Sequence, residues 1–180
     1  MVEKDHTDKE LIQSFQQTQS KKTFEFIYDR YAPFVYRKCL LMTGSEPDAQ
    51  DLTQEVWIKV FFGLDKFRFE SKFSTWLSRI TINRCINYLK RQGKLDFSED
   101  VEEITNGSLP EINLCLDVTK LLSRLSITTK VLFTLKYIEE LTYEEIAETT
   151  GTGVSAIKMR ISRAKKDLIK YSQGIDTKKL

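Results

Sequence analysis

At 180 residues, with 41% hydrophobic and 11% aromatic side chains, the chain has enough apolar material for one medium domain or two small ones. Its net charge of +2 excludes neither nucleic acid nor protein partners, so the placement of charge along the chain carries the information. Cys39, Cys85 and Cys115 form no CxxC pair and His6 is the single histidine, which argues against zinc, disulfides or any cofactor site. No run approaches the ~20 apolar residues of a membrane span, and MVEKDHTDKE is too polar for a signal peptide, so a cytoplasmic protein without membrane insertion is expected.

With 7 Gly and 3 Pro and few alternating apolar runs, the pattern predicts an all-α fold whose breakers mark helix ends. Asp8 is placed to cap a first helix carrying Leu11, Ile12 and Phe15. A second helix presents Phe24, Ile27, Tyr28, Tyr31 and Val35 on one side, with a kink or restart expected at Pro33 and an end at Gly44. The third opens near Pro47, with Asp48 and Asp51 complementing its dipole, and repeats Leu52, Val56, Val60 and Leu64 every four residues.

Phe67, Phe69, Phe73 and Trp76 then alternate with Arg68, Ser71, Lys72, Ser74 and Thr75 before a helix built on Leu77, Ile80, Ile82, Ile86 and Leu89. From Arg79 to Lys94 there are five cations (Arg79, Arg84, Lys90, Arg91, Lys94) and no acid, so a positive strip runs beside the aromatic cluster. From Lys94 to Asn113 six acids face one lysine, among Asn106, Gly107, Ser108 and Pro110. That composition predicts an acidic linker over 94–112 between domains at 1–93 and 113–180, and its charge keeps it off DNA.

Beyond the linker, Leu116, Leu121, Leu122 and Leu125, then Val131, Leu132, Leu135 and Ile138, predict two helices. Thr142 and Glu145 form a Thr-x-x-Glu capping box for a short helix from Tyr143 to about Thr150, and Gly151 ends it. A longer helix starts near Val154 or Ser155, with Val154, Ile157, Ile161, Ala164 and Leu168 on one face. Ala147, Gly151 and Ile157 sit as two closely crossing helices require, which predicts a helix-turn-helix. Opposite the apolar stripe lie Ser155, Lys158, Met159, Ser162, Arg163 and Lys166, and Arg160 is a further cation of the same helix. Such a helix fits the major groove, with Lys158, Met159 and Ser162 at base edges and the flanking cations on phosphates.

Two segments carry a family resemblance. LTYEEIAETTGTGVSAIKMRISRAKKDL resembles region four of the sigma-70 family of RNA polymerase sigma factors, and DAQDLTQEVWIKVFFGLDKF with FSTWLSRITINRCINYLKRQ resembles region two. The match spans roughly residues 20–172, and the short length points to the extracytoplasmic-function group. The resemblance implies a non-enzymatic subunit in which Asp48, Asp51, Gln54, Glu55 and Trp57 bind core RNA polymerase, with packing inside the domain the alternative role for Trp57. It further implies that Phe67, Arg68, Ser71, Phe73, Thr75, Arg79, Asn83 and Asn87 capture a flipped base of minus-ten promoter DNA, with core packing the alternative role for Phe73 and Trp76, and that the helix after Gly151 reads the minus-thirty-five element. Extracting a base costs a few kcal/mol, which stacking and amide contacts offset. An anti-sigma partner is also implied.

Phe69 stands where the family usually has Gly, Ser126 where Pro is common and Lys130 where Arg is common; Thr152, Gly153 and Ala156 replace more typical turn residues. Two other classes compete. A conventional helix-turn-helix regulator would bind palindromes without polymerase, but the cationic, aromatic strip from Phe67 to Arg91 is unlike a ligand-sensing half. An enzyme is disfavoured, since the sequence offers no Gly-rich phosphate loop, metal cluster or nucleophile beside a histidine.

Overall fold

The computed structural model describes residues 6–95 and 125–176, with side chains described as far as Ile169. Most of the expected acidic linker, and Leu116, Leu121 and Leu122, lie outside these residues. Among the described residues there are seven α-helices and no strand: α1 (Asp8–Thr18), α2 (Lys21–Thr43), α3 (Glu46–Gly63), α4 (Phe73–Arg91), α5 (Ile127–Phe133), α6 (Tyr143–Thr150) and α7 (Val154–Asp176). The chain divides into two compact units, residues 1–85 and 86–180.

In the first unit α1 and α3 both pack on α2. The α1 cap is Thr7 and not Asp8: Thr7 Oγ1 accepts from the Glu10 N–H at 3.3 Å, and Glu10 Oε2 accepts from the Thr7 N–H at 2.8 Å. Asp8 has tertiary work instead, accepting from Arg30 at 2.7 Å and from the Tyr31 hydroxyl. Partial burial, and then that contact with Asp8, disfavour the phenolate and push the Tyr31 pKa up.

Pro33 does not restart α2, which runs as one helix from Lys21 to Thr43. The carbonyl its ring leaves unpaired is a single lost bond, and the anchors Ile27, Val35, Cys39 and Met42 on both sides are buried, so tertiary packing holds the helix through it. Gly44 closes α2 at φ +67°. In α3 the four-residue repeat is core, with Leu52, Val56, Val60 and Leu64 all buried.

Helix α4 starts at Phe73, earlier than the aromatic segment suggested, because the Lys72 carbonyl accepts from the N–H groups of both Thr75 and Trp76. Its inner face ties to α2 through buried polar contacts. Lys38 Nζ reaches Ser78 Oγ at 2.5 Å and lies 4.4 Å from the Phe34 ring centre, and the Cys39 and Cys85 sulfurs are 3.7 Å apart. Its bond to Cys39, and then burial, push the Cys85 pKa up and keep it a thiol.

In the second unit α5 runs into a π turn over Thr134–Ile138, and α5, that turn, α6 and α7 enclose Val131, Leu132, Leu135, Ile146, Ile157 and Ile161. No described helix is long and apolar enough to cross a membrane.

Candidate polymerase and promoter interfaces

Ser45 caps α3 through its Oγ, with acidic Glu46 and Asp48 in the first turn. Of the candidates for polymerase binding, Asp51 and Gln54 are exposed and Asp48 is half-buried. Trp57 is 5% exposed and packs on Phe24 and Tyr28, with its indole N–H buried and without an acceptor among the described residues. Its ring is core. Glu55 is held by the Arg84 guanidinium.

Two residues that sequence reasoning passed over share this helix face. Ile58 is 58% exposed and Phe62 73%, and with Asp51 and Glu55 they continue one stripe at steps of four, three and four. The available signal was that both fall outside the Leu52, Val56, Val60 register. The stripe is acidic toward the N-terminus of α3 and apolar toward its C-terminus, the composition of a protein-docking surface.

The loop after α3 is pinned from α1, where Gln16 Nε2 donates to the carbonyls of Leu64 and Phe67, each at 2.9 Å. Phe67 and Phe73 are 6% and 4% exposed; their rings cluster with Trp76, and Tyr31 and Phe69 complete the group at centroid distances of 5.0 to 6.0 Å. Trp76 is half-buried and lies over Gly63, where an added Cβ would sit 3.2 Å from the indole. Phe69 takes φ +58°, the left-handed region that glycine adopts most readily. The loop thus keeps a glycine-like conformation without glycine.

The other six candidates are exposed: Arg68 and Ser71 in the loop, and Thr75, Arg79, Asn83 and Asn87 at successive steps of four along α4. That spacing gathers a hydroxyl, a guanidinium and two amides on one helical face. Phe67 and Phe73 are not on it. Their rings are turned into the core, because a loop of alternating aromatic and polar residues has no periodicity to say which side faces inward.

Thr142 and Glu145 close the expected capping box of α6, with bonds of 3.2 and 2.8 Å. Gly151, at φ +76°, donates to the Ala147 carbonyl at 2.8 Å and turns the chain toward α7. The Thr152 hydroxyl in the turn is buried without a partner among the described residues. On α7 Ile157, Ile161 and Ala164 are buried, whereas Ser155, Lys158, Met159, Ser162, Arg163 and Lys166 are exposed and Arg160 half-buried. One face is apolar and closed, the other cationic and open.

A chain of two helical units, one ending in a helix-turn-helix with a basic outer face, is of the class of helical transcription factors. Residues 27–95 match Sigma-70 region 2 and residues 115–168 match Sigma-70, region 4. The chain is 31% identical over 169 residues to the ECF RNA polymerase sigma factor SigW of Bacillus subtilis (strain 168), covering 84% of this chain and 90% of that protein. It is 33% identical over 177 residues to the ECF RNA polymerase sigma-E factor of Escherichia coli (strain K12), with 88% and 91% covered. The solved sigma factor RpoE, in complex with the anti-sigma factor NepR from Bartonella quintana, shares the fold at TM-score 0.54 and 23% identity, with 84% of this chain and 98% of that one covered. CnrH, solved in complex with the cytosolic domain of CnrY, does so at TM-score 0.51 and 19% identity, with 91% and 96% covered.

The chain belongs to the extracytoplasmic-function RNA polymerase sigma factors of the sigma-70 family. Its role is in transcription initiation with RNA polymerase, and it is not itself an enzyme. Membership sets aside the conventional regulator reading.

Proposed function

We propose that this sigma factor docks on core RNA polymerase through the outward stripe of α3, captures minus-ten DNA along α4 and the loop before it, and reads minus-thirty-five DNA with α7. Residues 1–93 form the docking and strand-opening module, 94–112 the tether, and 113–180 the minus-thirty-five module. The observation that carries this is the row Thr75, Arg79, Asn83 and Asn87, exposed on one face of α4. An amide edge can pair with a base edge and a guanidinium with a phosphate, so this row supplies both halves of strand capture. Arg68 and Ser71 in the adjoining loop extend it.

The buried state of Phe67 and Phe73 assigns them a supporting part: their packing with Trp76 fixes the start of α4 and hence the direction of the row. Phe69, half-buried at the loop's left-handed turn, is the aromatic ring of that loop with surface to offer. On α7 the base edges fall to Met159 and Ser162, Lys158 reaches a base edge or the phosphate beside it, and the remaining phosphates fall to Arg160, Arg163 and Lys166. The relative RpoE was solved with an anti-sigma factor; a partner of that kind is proposed here, holding this chain from polymerase until release.

Run-off transcription with core polymerase and a random promoter library tests the reading. Enrichment of a two-element promoter is expected, and a competent core that enriches nothing overturns it. Within that assay Asn83→Ala should lower strand opening while leaving polymerase affinity and thermal stability unchanged, since an exposed substitution away from packing usually moves stability by less than about 0.5 kcal/mol.

A further inference from the structure

Tyr143 opens α6, half-buried, directly after its capping residue Thr142. Two ammonium groups converge on its ring. Lys136 Nζ, from the π turn, lies 4.6 Å from the ring centre, and Lys158 Nζ, from the second turn of α7, lies 5.2 Å from it. Both fall inside the roughly 6 Å range of a cation–π contact. Lys136 is further fixed by donating to the Leu141 carbonyl at 3.0 Å. Neither lysine forms an ion pair with a carboxylate among the described residues.

Three successive elements, the π turn, α6 and α7, thus meet at one aromatic ring. The ring's negative face offsets part of the repulsion between the two cations, and the rest is left for an anion from outside the protein. Lys158 stands on the open face of α7, so the anion of matching chemistry and position is the phosphodiester of a DNA duplex. Lysine has a long, rotamer-rich stem, and holding it over a ring beforehand removes ordering entropy from the binding step.

We propose that Tyr143 is a positioning residue for promoter binding: its ring orients Lys158 and brings Lys136, which lies on neither helix of the helix-turn-helix, into the phosphate-contacting set. This rests on the reading of α7 as the DNA-facing helix. It adds a residue that no periodicity of α7 could reveal, and explains why the π turn carries a lysine toward α6.

The test uses holoenzyme reconstituted with core polymerase and a promoter duplex recovered by run-off selection, with affinity measured between about 50 and 200 mM salt. Tyr143→Leu should bind roughly three- to tenfold more weakly, with a log–log salt slope shallower by about one to two, because each phosphate contact contributes about 0.9. Tyr143→Phe keeps the ring face and should stay within about twofold of the parent with its slope unchanged. Tyr143→Phe should keep the parental thermal midpoint and Tyr143→Leu should lower it modestly through the lost cation–π contacts; a merely structural Tyr143 would lower the midpoint and leave the salt slope at its parental value.

A parental slope for a folded Tyr143→Leu overturns the proposal, as does an equal loss in Tyr143→Phe, which would point to the hydroxyl. Should Tyr143→Leu fail to fold, Lys136→Met replaces it: a slope shallower by about one supports the proposal and an unchanged slope overturns it. Lys158→Ala combined with Arg163→Ala reports on the underlying reading. If that double variant binds like the parent, the DNA-facing assignment and the role of Tyr143 fall together; if it weakens binding while Tyr143→Leu does not, the role of Tyr143 falls alone.

Discussion

The Glu55 carboxylate on α3 accepts a charge-assisted hydrogen bond from the Arg84 guanidinium on α4, tying the helix proposed to dock on polymerase to the helix proposed to hold promoter DNA. The side chains are 40% and 23% exposed, so solvent screens the pair, and its stabilisation is about 0.5–1 kcal/mol. A carboxylate already held this way presents less charge to a basic partner than exposed Asp51 does.

Glu55→Ala is therefore expected to lower unfolding stability by about that amount, and less than additively with Arg84→Ala. Its effect on polymerase affinity should be smaller than that of Asp51→Ala, which should leave stability unmoved. Denaturant titrations of the parent, the three single variants and the Glu55/Arg84 double variant, with polymerase binding measured in parallel, check this. Additive stabilities together with equal affinity losses for Asp51→Ala and Glu55→Ala would refute it.

Phe62 is 73% exposed at the apolar end of the α3 stripe, beside Ile58. A large ring left in water on a folded surface contributes little to folding and much to an interface that buries it. Phe62→Ala should weaken core polymerase binding by about tenfold or more, the equivalent of about 1.4 kcal/mol, with no drop in melting temperature. Affinity within about twofold of the parent in a fluorescence titration would remove Phe62 from the interface.

The left-handed backbone at Phe69 predicts an unusual order of substitutions. Glycine takes φ +58° freely but gives up the ring contact with Phe67, centred 5.0 Å away, so Phe69→Gly should leave stability within about 1 kcal/mol of the parent. Valine loses the ring and adds a branched Cβ where the backbone least tolerates it, so Phe69→Val should destabilise by about 2 kcal/mol or more. Thermal unfolding distinguishes the two; equal costs would show that the loop relaxes out of this conformation.

Lys130 is 5% exposed in α5, and burial lowers its pKa from the usual lysine value. The folded chain thus releases this proton at lower pH than the unfolded chain, which binds more protons between the two pKa values. Stability of the second unit should rise as pH increases through that window below 10.5. Lys130→Met keeps the stem volume and removes the charge, so it should stabilise at neutral pH and abolish that rise. Unfolding midpoints measured in steps from neutral pH up to 10.5 check this, and a parent and variant with parallel pH profiles would contradict it.

Much of the fold was legible in the residues because local rules decide it. The step of four from Leu52 to Leu64, the Thr142 and Glu145 box, Gly151 and the split of α7 into Ile157, Ile161 and Ala164 against Lys158, Arg163 and Lys166 are each set by helical geometry and backbone hydrogen bonding. These mark two helical modules and a basic reading helix before any tertiary contact is considered. The cap of α1 was misplaced by one residue because Thr7 and Asp8 are both good caps, and only the contacts from Arg30 and Tyr31 draw Asp8 away.

What the tertiary structure alone decided is which chemically similar residue faces where. Phe67, Phe69 and Phe73 are equivalent as letters, yet packing against Tyr31 and Trp76 buries the first and last. Asp51 and Glu55 are equivalent acids until Arg84 engages one of them. Lys136 and Lys158 become a pair only because Tyr143 stands within reach of both. Periodicity assigns a face within one helix, but burial, ion pairing and ring contacts depend on distances between helices, and those exist only once the chain has folded.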